Sequence, residues 1–434
     1  MKNNKIDLFG RKLTARSVAI LALIFGFSVN TLAQEPRSTP VGPFELEASV
    51  LTEYVEDDNV FQSASEPVST SIFTVTPSFE LTFDNGVSGF SLAYSLEDRT
   101  HSDTGDEDYT DQNVLLSLGN IVADMHRFEF NGVYFDSHDA RGGLSRTGFD
   151  EDLDIDDQGE LDLFEDIEYE FVYTLGTEES LFRFQFSLGE FEREYKTNRT
   201  NRDIGAENTI RFDREESRVG GEFFWNLSPI FTASISYLKT DIDYLFDETI
   251  FRAGTPGNIE PQDIVPQNDG EEELYAIGIE WEPTDTIGAA IIVGSVERTT
   301  ETVGSERNNY WDIDISWDIR SYSSLSLLSS SVVGETANAD GSFTVEETVG
   351  FRWTHEWTDL LRSELIYSNG EIEFSGSSRV DDNETIGLRA TYEFRPQFII
   401  GLSAERVTRS SAGGATNTEP YDQNVYGISA LFRL

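Results

Sequence analysis

Beyond residue 33 the chain alternates apolar and polar side chains with a period of two. Phe182, Phe184, Phe186 and Leu188 are interleaved with Arg183, Gln185 and Ser187. Trp311, Ile313, Ile315, Trp317 and Ile319 are interleaved with Asp312, Asp314, Ser316 and Asp318. Phe79, Leu81 and Phe83 repeat the pattern, as do Phe90, Leu92, Tyr94 and Leu96. An extended strand sends successive side chains to opposite faces, so each segment has one oily and one wet face. The alternation predicts strands over 44–54, 70–83, 88–100, 112–121, 126–137, 167–176, 181–196, 211–225, 230–244, 273–283, 287–299, 308–320, 323–334, 344–356, 361–374, 383–395, 398–409 and 422–434. That is 18 segments, an even number that brings both ends to one side. Sixteen is the alternative, because 112–121, 287–299 and 323–334 alternate less regularly.

In a soluble sandwich the oily faces would meet another sheet. Three features point to lipid instead. The segments run to about 9–15 residues, against the five or six usual in soluble proteins, and a tilted strand needs about 9–11 to cross a bilayer. Short connections alternate with long acidic ones. Asp84-Asn85-Gly86, Thr177 to Ser180, Asn226 to Pro229, Thr284 to Thr286 and Arg395 to Gln397 are short; Asp139 to Asp166, Leu245 to Glu271 and Gly370 to Asp382 are long. Outer-membrane barrels have tight periplasmic turns and longer external loops. Finally, Trp225, Trp281, Trp353 and Trp357 flank short turns, where an interfacial girdle belongs. The expected fold class is all-β: an antiparallel up-and-down transmembrane β-barrel over 44–434, in the outer membrane of a Gram-negative bacterium. It must close, since a sheet edge in lipid leaves backbone groups unpaired at several kcal/mol each. A barrel of this size keeps an aqueous lumen.

Residues 1–33 read as a secretory signal peptide, with bases up to Arg16, an apolar run from Val18 to Val29 and small residues before a cleavage site. Residues 34–43 form a short periplasmic lead-in, too small for a plug. The chain carries 80 acids against 31 bases, a formal charge of -49, which excludes nucleic acid as a partner. Disorder, the other home of acidic chains, is excluded by a 12% aromatic content. The chain has no cysteine, so disulfides and thiolate chemistry are absent.

The third external loop has candidate ligands at calcium-loop spacing: Asp154, Asp156, Gln158, Glu160, Asp162 and Glu165, with acids at positions 1, 3, 9 and 12 and Gly159 at the sixth position. Gln158 is an atypical ligand, and no helices flank the motif. A solvated acidic loop that holds calcium or magnesium loosely is the plainer reading, and no other cofactor is implied. Folded inward, the same loop would narrow the lumen and favour cations. On the polar face of the strands lie Arg127, Arg183, Arg193, Arg218, Arg352 and Arg389, with Glu129, Asp312, Asp314, Glu364 and Glu405. They form either a ladder of Arg–carboxylate pairs that stiffens the wall or a polar track for a solute. His101, His126, His138 and His355 fall in no catalytic motif, so an enzyme is not expected. The last strand carries Tyr426, Ile428, Ala430, Phe432 and Leu434, a pattern suited to the outer-membrane barrel assembly machinery, though Leu434 replaces the usual Phe.

Two stretches carry a family resemblance. Tyr54 to Phe61 precedes an apolar strand with Thr76-Pro77, and Arg409-Ser410-Ser411 precedes a polar loop and Tyr421-Asp422-Gln423-Asn424-Val425. In these the chain resembles the β-barrel porin 2 family of outer-membrane proteins. The resemblance implies an outer-membrane exit for a capsule or exopolysaccharide chain, with periplasmic export proteins and a glycan as partners. The acidic excess departs from exporters of anionic polymers. A general or cation-preferring diffusion porin for small solutes and a non-transport adhesin or scaffold barrel are the alternatives.

Overall fold

The structure, a computed structural model, describes residues 38–64, 66–139, 160–199, 209–245, 269–300, 304–335, 343–413 and 420–434. The segment predicted to be a signal peptide, 1–33, and residues 34–37 of the predicted lead-in lie outside them. In chain order the strands are β1 (Thr39–Val41), β2 (Phe44–Asp57), β3 (Thr70–Asp84), β4 (Ser88–His101), β5 (Tyr109–Val122), β6 (His126–Asp139), β7 (Asp162–Leu175), β8 (Phe182–Tyr195), β9 (Arg214–Ser228), β10 (Phe231–Tyr244), β11 (Gly270–Thr284), β12 (Ile287–Thr300), β13 (Gly304–Arg320), β14 (Ser323–Gly334), β15 (Thr344–Glu356), β16 (Leu361–Phe374), β17 (Val380–Arg395), β18 (Phe398–Ala412) and β19 (Tyr421–Arg433). From β2 to β19 each strand pairs antiparallel with the next, and β19 returns to β2 from Val425↔Asp57 to Arg433↔Ser49. The wall is therefore a closed barrel of 18 strands. The short β1 folds back on the start of β2.

Every predicted segment is a strand, including the three with weak alternation, which became β5, β12 and β14. The ladder satisfies their backbone whatever the side chains do. Followed around the closed wall, the pairing returns to β2 displaced by about 22 residues, which gives a strand tilt of about 43° and a backbone radius of about 17 Å. The strands of 12 to 17 residues then stand about 29–41 Å tall, more than the roughly 25 Å apolar band of an outer-membrane barrel.

The two faces of the wall separate cleanly. Phe184, Ile277 and Leu402 are 53%, 60% and 58% exposed, and they alternate with half-buried or buried partners along their strands. Such a predominantly apolar exterior fits acyl chains. On the opposite face Arg218 of β9 reaches past β8 to Glu168 of β7 at 2.5 Å, a span open to side chains that converge on a concave surface. At the short-turn end Trp225, Trp281, Trp317 and Trp357 stand exposed, and the half-buried Trp353 donates its indole N–H to the Ser323 hydroxyl at 3.0 Å. At the other end exterior tyrosines meet carboxylates: Tyr54 with Glu56 at 2.5 Å, Tyr237 and Tyr275 with Glu273 at 2.9 and 3.1 Å. The turns are tight where the sequence demands it. Gly86 sits at φ 81° with its N–H on the Asp84 carboxylate at 2.7 Å. Gly176 sits at φ 105°, where an added Cβ would lie 2.9 Å from the Phe182 carbonyl.

The strands outrun the prediction at the long-loop end. β7 begins at Asp162 rather than 167, β11 at Gly270 rather than 273 and β13 at Gly304 rather than 308. Apolar alternation stops at the lipid boundary, whereas the ladder continues through acidic residues into water.

Candidate functional site

Among the described residues, charged side chains converge on the bore. The register places Arg127, Arg183, Arg218, Asp312, Asp314, Arg352 and Arg389 on the inward face, together with Glu129, Arg193, Glu364 and Glu405. Most of the arginines are matched by acids. Arg193 clasps Asp166 through two bonds of 2.7 Å, a bidentate fork. Arg214 and Arg218 share Glu216 at 2.9 and 2.7 Å, and Arg218 also holds Glu168. Arg127 meets Glu129 at 3.2 Å, while Arg352 and Arg389 approach Glu364 at 3.0 and 3.8 Å. Arg183 instead lies over the Phe224 ring at 4.1 Å. The bidentate and shared geometry fixes long side chains flat against the wall.

Asp312 and Asp314 differ. They face the bore from one strand, and neither has a basic partner among the described residues. Glu346 of β15 shares that condition, and an added Cβ at Gly334 would lie 3.9 Å from its carboxylate. Asp312, Asp314 and Glu346 thus leave inward carboxylates without a basic partner among the described residues, whereas the arginines of β6–β9 and β15–β17 are mostly held in pairs.

At the outer end the wall folds in on itself. Val333 and Val345 have outward parity, yet both are buried in a cluster with Leu274, Ala276, Val296 and Tyr310, which face inward from β11, β12 and β13. Phe343, fully buried, completes it. Outward faces can meet inward ones only if the outer end of the β14–β15 hairpin lies inside its neighbours. Polar contacts agree. Glu335 takes Arg298 of β12 at 2.6 Å and the Tyr244 hydroxyl of β10 at 2.5 Å, and Ser375 donates to Glu306 of β13 at 2.6 Å. Within the described residues it is a strand hairpin that narrows the bore; the acidic third loop, expected to fold inward, lies mostly outside them. Sequence reasoning missed Arg298, Glu335, Tyr244 and Phe343. Their signal was faint: apolar residues at a height where other strands carry acids.

The calcium-spaced motif falls mostly outside the described residues, including Asp154, Asp156 and Gln158. Of its visible members, the buried Asp162 accepts the Asn198 amide at 2.6 Å, while Glu165 pairs with Lys196 at 3.1 Å. Three residues apart on β7, those two side chains leave on opposite faces, so these acids do not converge. No cluster of three metal-ligating groups occurs among the described residues. The histidines sit in ring and hydrogen-bond contacts at the barrel ends: His126 with Tyr173 at 2.8 Å, His138 with Asp111 at 3.1 Å, His101 with Asp108 at 3.5 Å, and His355 between Trp353 and Trp357.

No family model and no curated protein matches the chain. Solved structures similar to it include OccK2 (OpdF) of Pseudomonas aeruginosa, at 12% identity and a TM-score of 0.49, covering 90% of this chain and 98% of that one. OpdK of the same species matches at 10% identity and 0.46, covering 90% and 99%. The siderophore receptor PirA of Acinetobacter baumannii matches at 8% and 0.45, covering 92% and 81%. The assignment stands on the ladder and the apolar exterior themselves. A closed wall with an oily outside and a wet, charged inside is an outer-membrane β-barrel channel.

Proposed function

We propose that the barrel is a passive diffusion channel for small hydrophilic solutes, with a preference for cations. The observation that carries this reading is the charge of the inner wall. Its arginines are largely held in ion pairs, whereas Asp312 and Asp314 face the bore with no basic partner among the described residues. A water-filled passage lined by net negative charge concentrates cations and repels anions. The folded-in hairpin supports a small solute over the polymer chain that the β-barrel porin 2 resemblance implies, because it reduces the outer mouth. Calcium or magnesium held by the acids of the bore would screen the same field.

Reconstitution in a planar bilayer under a KCl gradient tests it. The reversal potential should show cation selectivity, and Asp312→Asn with Asp314→Asn should lower the cation-to-anion permeability ratio about twofold or more. Anion selectivity, or no change in the double variant, overturns the reading. Deleting the gene separates this channel from an export conduit: surface glycan should persist, whereas a conduit's loss would abolish it.

A further inference from the structure

β13 and β14 are neighbours whose ladder stops early. Their register runs from Arg320↔Ser323 to Trp311↔Ser331. Beyond that, among the described residues, β13 continues to Gly304 paired with β12 only, and β14 continues to Gly334 paired with β15 only. Extended by the same register, Tyr310 would face Val332, Asn309 would face Val333, and Asn308 would face Gly334. None of these pairs is made. Instead the Ser331 hydroxyl caps the Asn309 carbonyl at 3.1 Å, and the buried side-chain amide nitrogen of Asn308 has no hydrogen-bond partner among the described residues. An unpaired strand edge is a state that barrels otherwise abolish. Here the hairpin end has exchanged its ladder for the cluster around Val296 and the Glu335–Arg298 bond.

We propose that the outer end of the β14–β15 hairpin has two positions. In one, seen here, it folds into the bore. In the other, the β13–β14 ladder zips on to Gly334 and the hairpin stands in the wall, widening the outer mouth. The positions exclude each other, because Val333 cannot both pack on Val296 and face Asn309. The strands need no new register, since both already extend to the required length. Glu335 is the latch: it is bonded only in the folded-in position to Arg298 and Tyr244, so a solute that competes for Arg298 favours the zipped one. The effect on conduction rests on the channel reading; the movement itself does not.

The chain has no cysteine, so paired cysteines report the movement directly. Asn309→Cys with Val333→Cys should form a disulfide under mild oxidation in detergent, read by peptide mass. Ile313→Cys with Ser329→Cys, already paired in the ladder, serves as the positive control. Adding Glu335→Gln should speed the first crosslink about fivefold or more, because it weakens the latch. Crosslinked protein should show a raised single-channel conductance that reduction reverses. If the first pair stays reduced while the control closes, the second position does not exist. If it closes and a conducting barrel keeps its conductance, the hairpin does not set the bore. If it closes but no form conducts, the channel reading fails while the movement stands.

Discussion

At the scale of single side chains, the inner wall shows how an acidic chain keeps arginines in a confined space. Arg193 and Asp166 are both largely buried and joined by two short bonds. Removing one partner of such a pair strands the other, a loss of about 3–5 kcal/mol in a dry interior and less beside water. Asp166→Ala should therefore lower barrel stability by about 2 kcal/mol, measured as the urea midpoint of the heat-modifiable gel band. Removing both charges together should recover most of it. Gly176 offers a backbone counterpart. Its left-handed φ and the nearby Phe182 carbonyl leave no room for a methyl group, so Gly176→Ala should destabilise by about 1–3 kcal/mol on the same gel.

At the scale of the strand, parity decides what a position tolerates. On β8 the exterior Phe186 faces acyl chains and the interior Gln185 faces water. Phe186→Arg should cost about 2–4 kcal/mol and reduce folding into vesicles, whereas Gln185→Arg should fold normally. Equal behaviour of the two variants would contradict this assignment of faces, and the reverse order would invert it. This parity was readable from the sequence because lipid outside and water inside act on every residue of a membrane strand alike. The predicted inward positions of Arg127, Arg218, Asp312 and Arg389 follow from it. Two things were not readable. Strand ends beyond the lipid, such as Gly304 to Asn308 of β13, carry no oily stripe, since water solvates both faces. The folded-in hairpin breaks parity outright: Val333 alternates as an exterior residue and ends buried inside, by contacts with strands that local pattern does not reach. Which arginines find acids is equally non-local, as Arg218 choosing Glu168 two strands away illustrates.

At the scale of the whole molecule, the wall is a single ladder in which each strand from β2 to β19 is bonded to a wall strand on either side. Removing β19, residues 421–434, should leave no heat-modifiable band and no conductance, because β2 and β18 would both present bare edges to lipid. A folded seventeen-strand product would contradict this. The seam where β19 meets β2 also imposes an order in time. Val425 and Asp57 lie at opposite ends of the chain and yet are side by side. Their meeting bridges a very large loop, and the intervening strands bring them together only after pairing among themselves. The seal is thus the last stitch of the ring. Until it is made, an open ribbon in a bilayer bears two raw margins, so we expect a growing barrel of this kind to need a surrogate partner that lends those margins hydrogen bonds and lets go when the ring shuts.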